Sequence, residues 1–538
     1  MSKAIIIDGY LDEPSCLGVP PYIAPQIRYI YGALKDAGIK KEAIFYRTID
    51  QLREKNYQSN SLKQNDLLVI VAGSTVPGKY LGGKPITIKE INQLGAKSNA
   101  KSILSGPITT CNFNFNHIDY FDSEIVGVKA YNLITNENVK AENIKSYLAK
   151  WAQLGAEVTT RHPNFPKLVC EIETYRGCLR NSHCKFCSEG LKEITYQRPI
   201  KDIITEIKRL YELGNRYFRL GCQTDLLLYQ GQNNNQKKLK PNPKAIKNLY
   251  QGIREVAPKL KVLHMDNINP TTIADYPKLS KQALKAIVKH NTSGDIAAFG
   301  LESADPKVLK ANNIGTNVEK TFKAIEILNQ VGSVRKNGVP KLLPGINLLH
   351  GLSGERKKTR KLNYHFLKRI LAENLLLRRI NIRQVNPIGD YKRKKAYNQY
   401  QFKKYKEKIN KKINQPMLAK VFPKGTLLKE VIIEKNKGKI AFGRQLGTYP
   451  ILIGVPGDYK LREVIDVKVI DYGYRSITGL RWPFKINQAS IEELEALPGI
   501  GKNRAFKLFS AKNITSLADI KKKLPNYDVK QLEGIIEI

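Results

Sequence analysis

Three cysteines lie close together in the chain, at Cys178, Cys184 and Cys187. Thiolates are the protein ligands of iron–sulfur clusters and of structural zinc. Three thiolates on one loop can bind three irons of a [4Fe–4S] cluster and leave the fourth iron open to a small molecule. A zinc site that includes His183 and a set of metal-free thiols are the alternatives. We favour the cluster, because adjacent residues seldom reach one metal and no second Cys-x2-Cys pair occurs.

In a barrel of parallel strands and helices, functional residues lie at the carboxyl ends of the strands. We therefore expect further functional residues at the ends of the predicted strands that follow the cysteine loop.

The elements that must position these residues form a βα series over residues 165–390. Apolar runs predict strands at 168–174, 217–220, 261–265, 296–300, 342–349 and 379–385, with helical patterns such as 200–213 and 318–331 between them. Six such units are more than half of a (β/α)8 barrel. The series predicts a partial (β/α)6 barrel.

Residues 1–155 predict a separate, Rossmann-like α/β domain. Strands are expected at 4–7, 41–45 and 67–72, with weaker candidates at 103–105 and 125–127, and helices at 25–37 and 86–94. Such alternation is typical of a parallel sheet with helices on both faces. The Gly-Ser-Thr-Val-Pro-Gly segment at 73–78 follows a strand, but it is not the GxGxxG fingerprint of a dinucleotide site.

Charge is the unusual property of the composition. The 538 residues include 90 Lys plus Arg and 48 Asp plus Glu, a net charge of +42, which favours a polyanionic partner such as nucleic acid. Residues 391–420 form a basic linker with eleven basic residues against Glu407. This linker is either a solvated helix or a contact surface for phosphates.

After the linker, short β-type runs at 427–433, 439–442, 451–453 and 463–470 predict a small antiparallel barrel over 421–481. Residues 485–538 predict a helix-hairpin-helix module. Ser490 with Glu493 is a capping box, and Gly499 and Gly501 form a hairpin whose backbone amides can approach a phosphate. Lys502 and Arg504 add positive charge, so these two glycines and two cations are the candidate nucleic-acid contacts. Packing against protein is the alternative role for the hairpin.

No run of residues approaches the roughly 18 apolar positions of a membrane span. The amino terminus reaches Asp8 too early for a signal peptide, and the seven cysteines are too few and too unevenly spaced for a disulfide framework. We therefore expect a cytoplasmic protein that makes no membrane contact.

The cysteine loop and the strand ends together resemble the radical S-adenosylmethionine (SAM) superfamily. The family pattern is Cys-x3-Cys-x2-Cys with an aromatic residue before the last cysteine; here Phe186 keeps that place, but the first gap holds five residues. The resemblance implies that the open iron binds SAM near Gly221–Gln223, Glu302, Ser303, Gly345 and Gln384. It also implies reductive cleavage of SAM to a 5′-deoxyadenosyl radical, with electrons from a low-potential donor such as ferredoxin or flavodoxin. Ile314 stands where the family has a basic residue.

The amino-terminal region resembles the Rossmann-like domain of cobalamin-linked radical enzymes. Its Asp-x-His-x-x-Gly signature is absent, so we expect no bound cobalamin. The small barrel resembles the TRAM-like barrel that follows the catalytic domain in RNA-modifying radical enzymes. Almost end to end, the chain resembles an archaeal-type radical SAM family with a carboxyl-terminal helix-hairpin-helix motif.

These features predict a radical SAM enzyme that modifies a nucleic acid, an RNA base rather than DNA. Two other hypotheses remain at this point. One is a nucleic-acid-binding or repair-associated protein with a structural or regulatory cluster, and the other is a radical SAM enzyme that acts on a small molecule or a protein. The sequence does not select the reaction type.

Overall fold

The structure is a computed structural model of the 538-residue chain. It describes residues 3–11, 17–57, 64–73, 80–111, 113–122, 126–192, 196–233, 239–386, 388, 391–393, 399–511 and 513–536. The α/β multidomain class predicted from the sequence is confirmed, with two parallel sheet systems followed by a small closed barrel.

The amino-terminal domain is a five-stranded parallel sheet. Its strands are Ala4–Asp8, Ile44–Thr48, Leu67–Val71, Lys101–Ser105 and Tyr120–Asp122. Their spatial order is 2-1-3-4-5, one of the common doubly wound orders. The helices are Pro25–Asp36, Ile49–Glu54, Ile88–Lys97, Val128–Thr135 and Ile144–Leu154. The Rossmann-like prediction is thus confirmed.

Two predicted strands of this domain are corrected. Residues 41–43 form a 3-10 turn and the strand begins at Ile44, because Lys41 and Glu42 are polar and exposed. The fifth strand is Tyr120–Asp122 rather than 125–127; Ile125 lies outside the described residues, as does most of the 73–78 segment.

The predicted partial barrel is present with all six strands in parallel. Barrel strands 1 to 6 are Val169–Glu173, Tyr217–Gly221, Val262–Met265, Asp295–Glu302, Leu342–His350 and Arg379–Gln384. A single bridge between Asn267 and Ala298 joins strands 3 and 4. The main surrounding helices are Ile200–Glu212, Pro243–Val256, Pro277–His290, Val318–Gly332 and Lys357–Ala372, with short helices at Pro270–Asp275 and Pro306–Ala311.

The amino-terminal domain is joined to the barrel by a strand and a buried charge network. Tyr22–Ile23 pairs in parallel with the outer edge of barrel strand 1. Arg28 and Arg198 both form ion pairs with Glu206, at 2.7 and 2.6 Å, and all three side chains are buried. Because breaking a buried pair leaves an uncompensated charge, this network fixes the two domains in one arrangement.

The predicted basic linker is largely a packed helix. Helices Gln399–Ile409 and Gln415–Val421 are joined by a π-helical turn at Asn410–Asn414. Phe402, Tyr405 and Ile409 are buried, at the three- and four-residue spacing of one helical face. The lysines of the described residues 399–420 therefore lie on packed helices rather than on a free strip.

The small barrel is closed, and it contains one more strand than predicted. Its strands are Leu427–Lys437, Ile440–Arg444, Leu452–Pro456, Val464–Tyr472 and Ser476–Trp482. The prediction of a wholly antiparallel barrel is wrong, because Leu452–Pro456 pairs in parallel with Ser476–Trp482. Gly479, in the middle of the last strand, weakens its strand pattern in the sequence.

The carboxyl-terminal module contains short helices around an apolar core that it shares with the last two strands of the small barrel. They are Ile491–Glu495, Lys502–Ser510 and Leu517–Lys523, and their core includes Leu494, Leu497 and Leu508. Within the described residues, we find no helix whose length and apolar character would let it cross a membrane.

Candidate active site at the carboxyl ends of the barrel strands

The cysteine loop begins directly after barrel strand 1. Tyr175–Arg176 pairs with Tyr196–Gln197 and forms the base of the loop. Gly177 then takes a φ of 77°, a conformation that favours glycine because it has no Cβ. Cys178, Cys184 and Cys187 all follow this turn and are partly exposed.

Contacts from distant segments hold the loop in place. The Lys185 amide donates to the Asn312 carbonyl at 3.1 Å, and the Asn313 side chain donates to the His183 carbonyl at 2.9 Å. Phe186 meets the ring of Tyr391 edge-on, with 6.2 Å between ring centroids. The predicted aromatic residue thus anchors the loop to the segment that follows barrel strand 6.

The three thiols lie near one another and act on each other electrostatically. Burial raises the pKa of Cys187 to about 12, and the charges of Cys184 and Cys178 add to this effect. Burial also raises the pKa of Cys184, although Arg180 opposes the shift. Binding a cationic centre would stabilise thiolates in these positions, because it offsets both the cost of burying their charge and their mutual repulsion.

This donor set fits an iron–sulfur cluster. Across the described part of the chain, no three His, Cys, Asp or Glu side chains converge closely enough to hold one metal ion. In a [4Fe–4S] cluster each thiolate binds a different iron, so the ligands lie farther apart than those of a single ion. Cys178, Cys184 and Cys187 are the residues that would hold it, and with SAM bound it would supply one-electron reductive cleavage of SAM.

The end of barrel strand 2 is a tight turn built against strand 1. Gly221 lies so close to Glu171 that a Cβ would come within 1.9 Å of a carboxylate oxygen. Cys222 has a φ of 62°, and burial raises its pKa well above the usual value. The Gln223 side chain accepts a hydrogen bond from the Thr174 hydroxyl at 3.1 Å. The Gln223 side chain therefore stabilises the turn. A ligand bound at this segment would contact its backbone.

The end of barrel strand 4 is also strained. Glu302 has a φ of 61°, and the strand register shifts between Gly300 and Glu302. The Glu302 carboxylate lies close enough to Cys184 to raise the pKa of that thiol. Ser303 is buried and accepts a hydrogen bond from the Asp305 amide at 3.1 Å. Non-glycine residues held at positive φ cluster at functional sites, which marks Glu302 and Cys222 as site candidates.

The remaining predicted SAM contacts lie at different heights in the barrel. Gly345 is in the middle of barrel strand 5, where a Cβ would come within 2.9 Å of Ile296. Gln384 is the last residue of barrel strand 6 and pairs with His350. The structure therefore brings Gln384 to the carboxyl edge with the cysteine loop, whereas Gly345 serves close strand packing.

Two groups at this edge were missed in the sequence. The His350 side chain contacts the Glu355 carboxylate at 2.5 Å, and Glu355 also accepts from the Gly351 amide at 2.5 Å. Arg180 lies 3.4 Å from the Cys184 sulfur, and a Cβ on Gly315 would come within 2.2 Å of its guanidinium. The lengthened cysteine gap thus places a cation beside position 314, where the family pattern has a basic residue.

The predicted nucleic-acid contacts lie apart from this edge, in the carboxyl-terminal module. Ser490 caps Ile491–Glu495 with the predicted capping box. Gly499 has a φ of 68°, and Gly501 and Lys502 are exposed at the start of Lys502–Ser510. Arg504 instead donates to the Gly499 carbonyl at 2.6 Å, so its guanidinium helps to hold the hairpin.

A solved structure of TsrM from Kitasatospora setae, a radical SAM methyltransferase with cobalamin and a [4Fe–4S] cluster bound, is similar to this chain. The TM-score is 0.49 at 13% identity, over 71% of this chain and 75% of that one. This finding corrects our expectation that cobalamin is absent. The Asp-x-His-x-x-Gly signature would supply a single histidine, so its absence does not decide whether the rest of the domain can hold cobalamin.

Comparisons of sequence give the family. A family model described as the radical SAM superfamily matches residues 172–359, which include the cysteine loop and barrel strands 2 to 5. An uncharacterised protein of Archaeoglobus fulgidus is 43% identical over 92% of this chain and 93% of its own length. One of Methanocaldococcus jannaschii is 42% identical over 89% and 93%. The chain belongs to the radical SAM superfamily, and it is an enzyme of this class.

Proposed function

We propose that this enzyme modifies a nucleic acid, and that its substrate is an RNA base. The observation that carries the proposal is the exposed hairpin of the carboxyl-terminal module. There Gly501 is the N-cap of the nine-residue helix that begins at Lys502. Apart from its chain neighbours and the helix backbone, no atom of the described chain lies within 4 Å of the position that a Gly501 Cβ would take. A helix start with free amides and a neighbouring cation suits a backbone phosphate. Such contacts position a polynucleotide without selecting its sequence.

Exposed aromatic residues on the same helix support the proposal. Phe506 and Phe509 are 61% and 54% exposed, and they lie three residues apart, on one side of the helix. Aromatic rings beside lysines form stacking surfaces for unpaired bases. The net charge of +42 supplies the long-range attraction that a polyanion would feel.

The small barrel favours RNA over DNA as the substrate. It is closed, and it follows the catalytic barrel after the basic helices, in the same order as the TRAM-like barrel of RNA-modifying radical enzymes that it resembles. A low-potential electron donor such as ferredoxin or flavodoxin completes the proposal, because the cluster must be reduced before SAM is cleaved.

The proposal is tested by incubating the reconstituted enzyme with SAM, dithionite and bulk archaeal tRNA or rRNA, followed by nucleoside mass spectrometry. We expect a nucleoside of changed mass that is absent without SAM. Release of 5′-deoxyadenosine with no change in any nucleoside of either RNA would contradict an RNA substrate.

A further inference from the structure

A cavity of about 350 Å³ lies where the barrel, the packed basic helix and the small barrel meet. Barrel strand 6 forms one wall, and the residues between the second and third strands of the small barrel form another. Gly18–Val19 and Tyr22 of the amino-terminal region close a third side. A volume of this size is within the usual range for small-molecule sites.

The lining of the cavity is strongly cationic. Seven arginines and one lysine contribute to it, and among the described lining residues there is no aspartate or glutamate. Carboxylates outside the lining pair with some of these cations. Arg219 pairs with Glu171 at 2.8 Å, and Arg444 pairs with Glu434 at 2.6 Å. The cavity therefore carries an excess of positive charge.

Arg378 is the clearest sign of that excess. No carboxylate of the described chain forms an ion pair with it, and its buried Nε has no hydrogen-bond partner. Its guanidinium lies over the Phe422 ring, 4.8 Å from the centroid. Burial, together with the charge of Arg379, lowers the pKa of Arg378 to about 10. Arg378 is partly buried, a guanidinium so placed without a counter-charge is costly, and a bound anion would lower that cost.

The remaining walls suit the sugar and base of a nucleotide. The Tyr449 ring stacks under the Arg379 guanidinium at 3.7 Å, and its hydroxyl donates to Asp266 at 2.6 Å. Tyr22 and the Asn381 amide also line the cavity. Arginine forks match phosphate oxygens in pairs, whereas rings and amides contact bases and ribose.

We propose that this cavity binds the phosphate of a nucleotide, with the partly buried Arg378 as its partner in the wall and Arg475 at the exposed rim. The inference that this nucleotide belongs to an RNA chain rests on the proposed function; a free nucleotide is the other source of the same chemistry. Gln384 lines the cavity and also ends barrel strand 6 at the carboxyl edge. A nucleotide bound here would therefore lie next to the candidate active site.

The test measures binding by calorimetry to the full-length, cluster-loaded protein. The probes are adenosine 5′-monophosphate, adenosine and bulk tRNA. The variants are Arg378→Gln and Arg475→Gln, with Arg209→Gln as the matched control, because Arg209 is exposed on Ile200–Glu212 and does not line the cavity. Arg475 is exposed, so its variant keeps the test valid if Arg378→Gln does not fold.

We expect the monophosphate to bind at least tenfold more tightly than adenosine. Each cavity variant should weaken binding of both the monophosphate and tRNA by about tenfold to a hundredfold, the usual loss for a charged hydrogen bond, and the control should stay within twofold of wild type. Equal binding of the monophosphate and adenosine would overturn the inference. Unchanged tRNA and monophosphate binding in both cavity variants would overturn it too, and would leave the proposed function standing. Arg378-dependent binding of the monophosphate without any tRNA binding would support the cavity and contradict an RNA substrate.

Discussion

The cysteine loop and the carboxyl-terminal hairpin are both irregular segments with candidate functions, but different parts of the molecule hold them. The loop is held by Asn312 and Asn313, which follow barrel strand 4, and by Tyr391 beyond strand 6. The hairpin is held within its own module, where the Tyr527 hydroxyl donates to the Pro498 carbonyl at 2.5 Å and Arg504 to that of Gly499. The loop is therefore held by the catalytic barrel, whereas the hairpin is held by its own module and by the strands of the small barrel that share its core.

In the proposed function, this difference separates chemistry from substrate capture. The groups around the loop are partly buried and held by strain and hydrogen bonds, which suits a site that must exclude water. The hairpin presents charge and backbone amides to solvent, where phosphate contacts are individually weak and sensitive to salt. Changes in one region should therefore spare the function of the other.

The largest expected effect comes from replacing Cys178, Cys184 and Cys187 together with alanine. Anaerobically reconstituted wild-type protein should hold roughly four irons per chain, and the variant should lose them together with all release of 5′-deoxyadenosine. Its affinity for tRNA should change less than twofold, because the hairpin is remote from the loop. Iron assays, electron paramagnetic resonance and filter binding give these values. The assignment fails if the variant keeps its iron.

Arg180→Gln should have the next largest effect. If this guanidinium replaces the missing basic residue at position 314, the affinity for SAM should fall by about tenfold or more, with the iron content unchanged. Lys185→Gln is the matched control, since Lys185 is an exposed cation in the same loop. Equal SAM affinities of the two variants, measured by equilibrium dialysis, would show that Arg180 has no special role.

On the hairpin side, Lys502→Gln combined with Lys507→Gln should weaken tRNA binding several-fold. The slope of log affinity against log salt should flatten by about one unit per lost phosphate contact. Cleavage of SAM without RNA should be unchanged, because these lysines lie outside the barrel. A loss of basal cleavage in this variant would contradict the separation of the two regions.

The smallest expected effect concerns pH and the contact between the two barrels. His264 accepts a hydrogen bond from the Thr448 amide at 3.0 Å, and burial lowers its pKa from 6.5 to about 3. In the unfolded chain the His264 imidazole therefore becomes protonated below pH 6.5, whereas in the folded chain it stays neutral down to about pH 3. The contribution of His264 to the free energy of unfolding is therefore largest above pH 6.5. It decreases as the pH falls below 6.5, by up to about 1.4 kcal/mol per pH unit.

The matched experiment compares the thermal midpoints of wild type and His264→Gln from pH 7.5 to 5. We expect the wild-type midpoint to fall relative to that of the variant as the solution becomes more acidic. Use of the difference removes the contributions of buried carboxylic acids such as Asp225 and Asp295, which are common to both proteins. Parallel curves would show that His264 is not held neutral.

Much of the fold could be predicted from the sequence, because parallel strands buried on both faces are continuous apolar runs. All six barrel strands were located in this way, and the cysteine spacing pointed to the cluster loop. The strand Ser476–Trp482 was missed because Gly479 interrupts its pattern. Arg180 was missed for another reason, since its neighbour Gly315 is 135 positions away in the chain and only the fold brings them together.

The cationic cavity could not be predicted for the same reason. Arg219, Arg378, Lys406 and Arg444 come from four separate elements, and each is an ordinary basic residue in its own segment. The composition showed a net positive charge for the whole chain. It did not show where that charge is concentrated, because this depends on which residues the fold brings together. Conversely, Gly345 matched a sequence motif, but it lies in the middle of its strand. The motif alone could not show this, because it does not reveal where the strand ends.

Release of 5′-deoxyadenosine tests the central claim most directly. Cluster-loaded protein is incubated with SAM and dithionite alone, with bulk tRNA, or with duplex DNA at equal phosphate concentration. We predict slow release without substrate, clear stimulation by tRNA, and no stimulation by duplex DNA or by tRNA added to the triple cysteine variant. Release that is the same with and without tRNA, or that only duplex DNA increases, would contradict a radical SAM enzyme that acts on RNA.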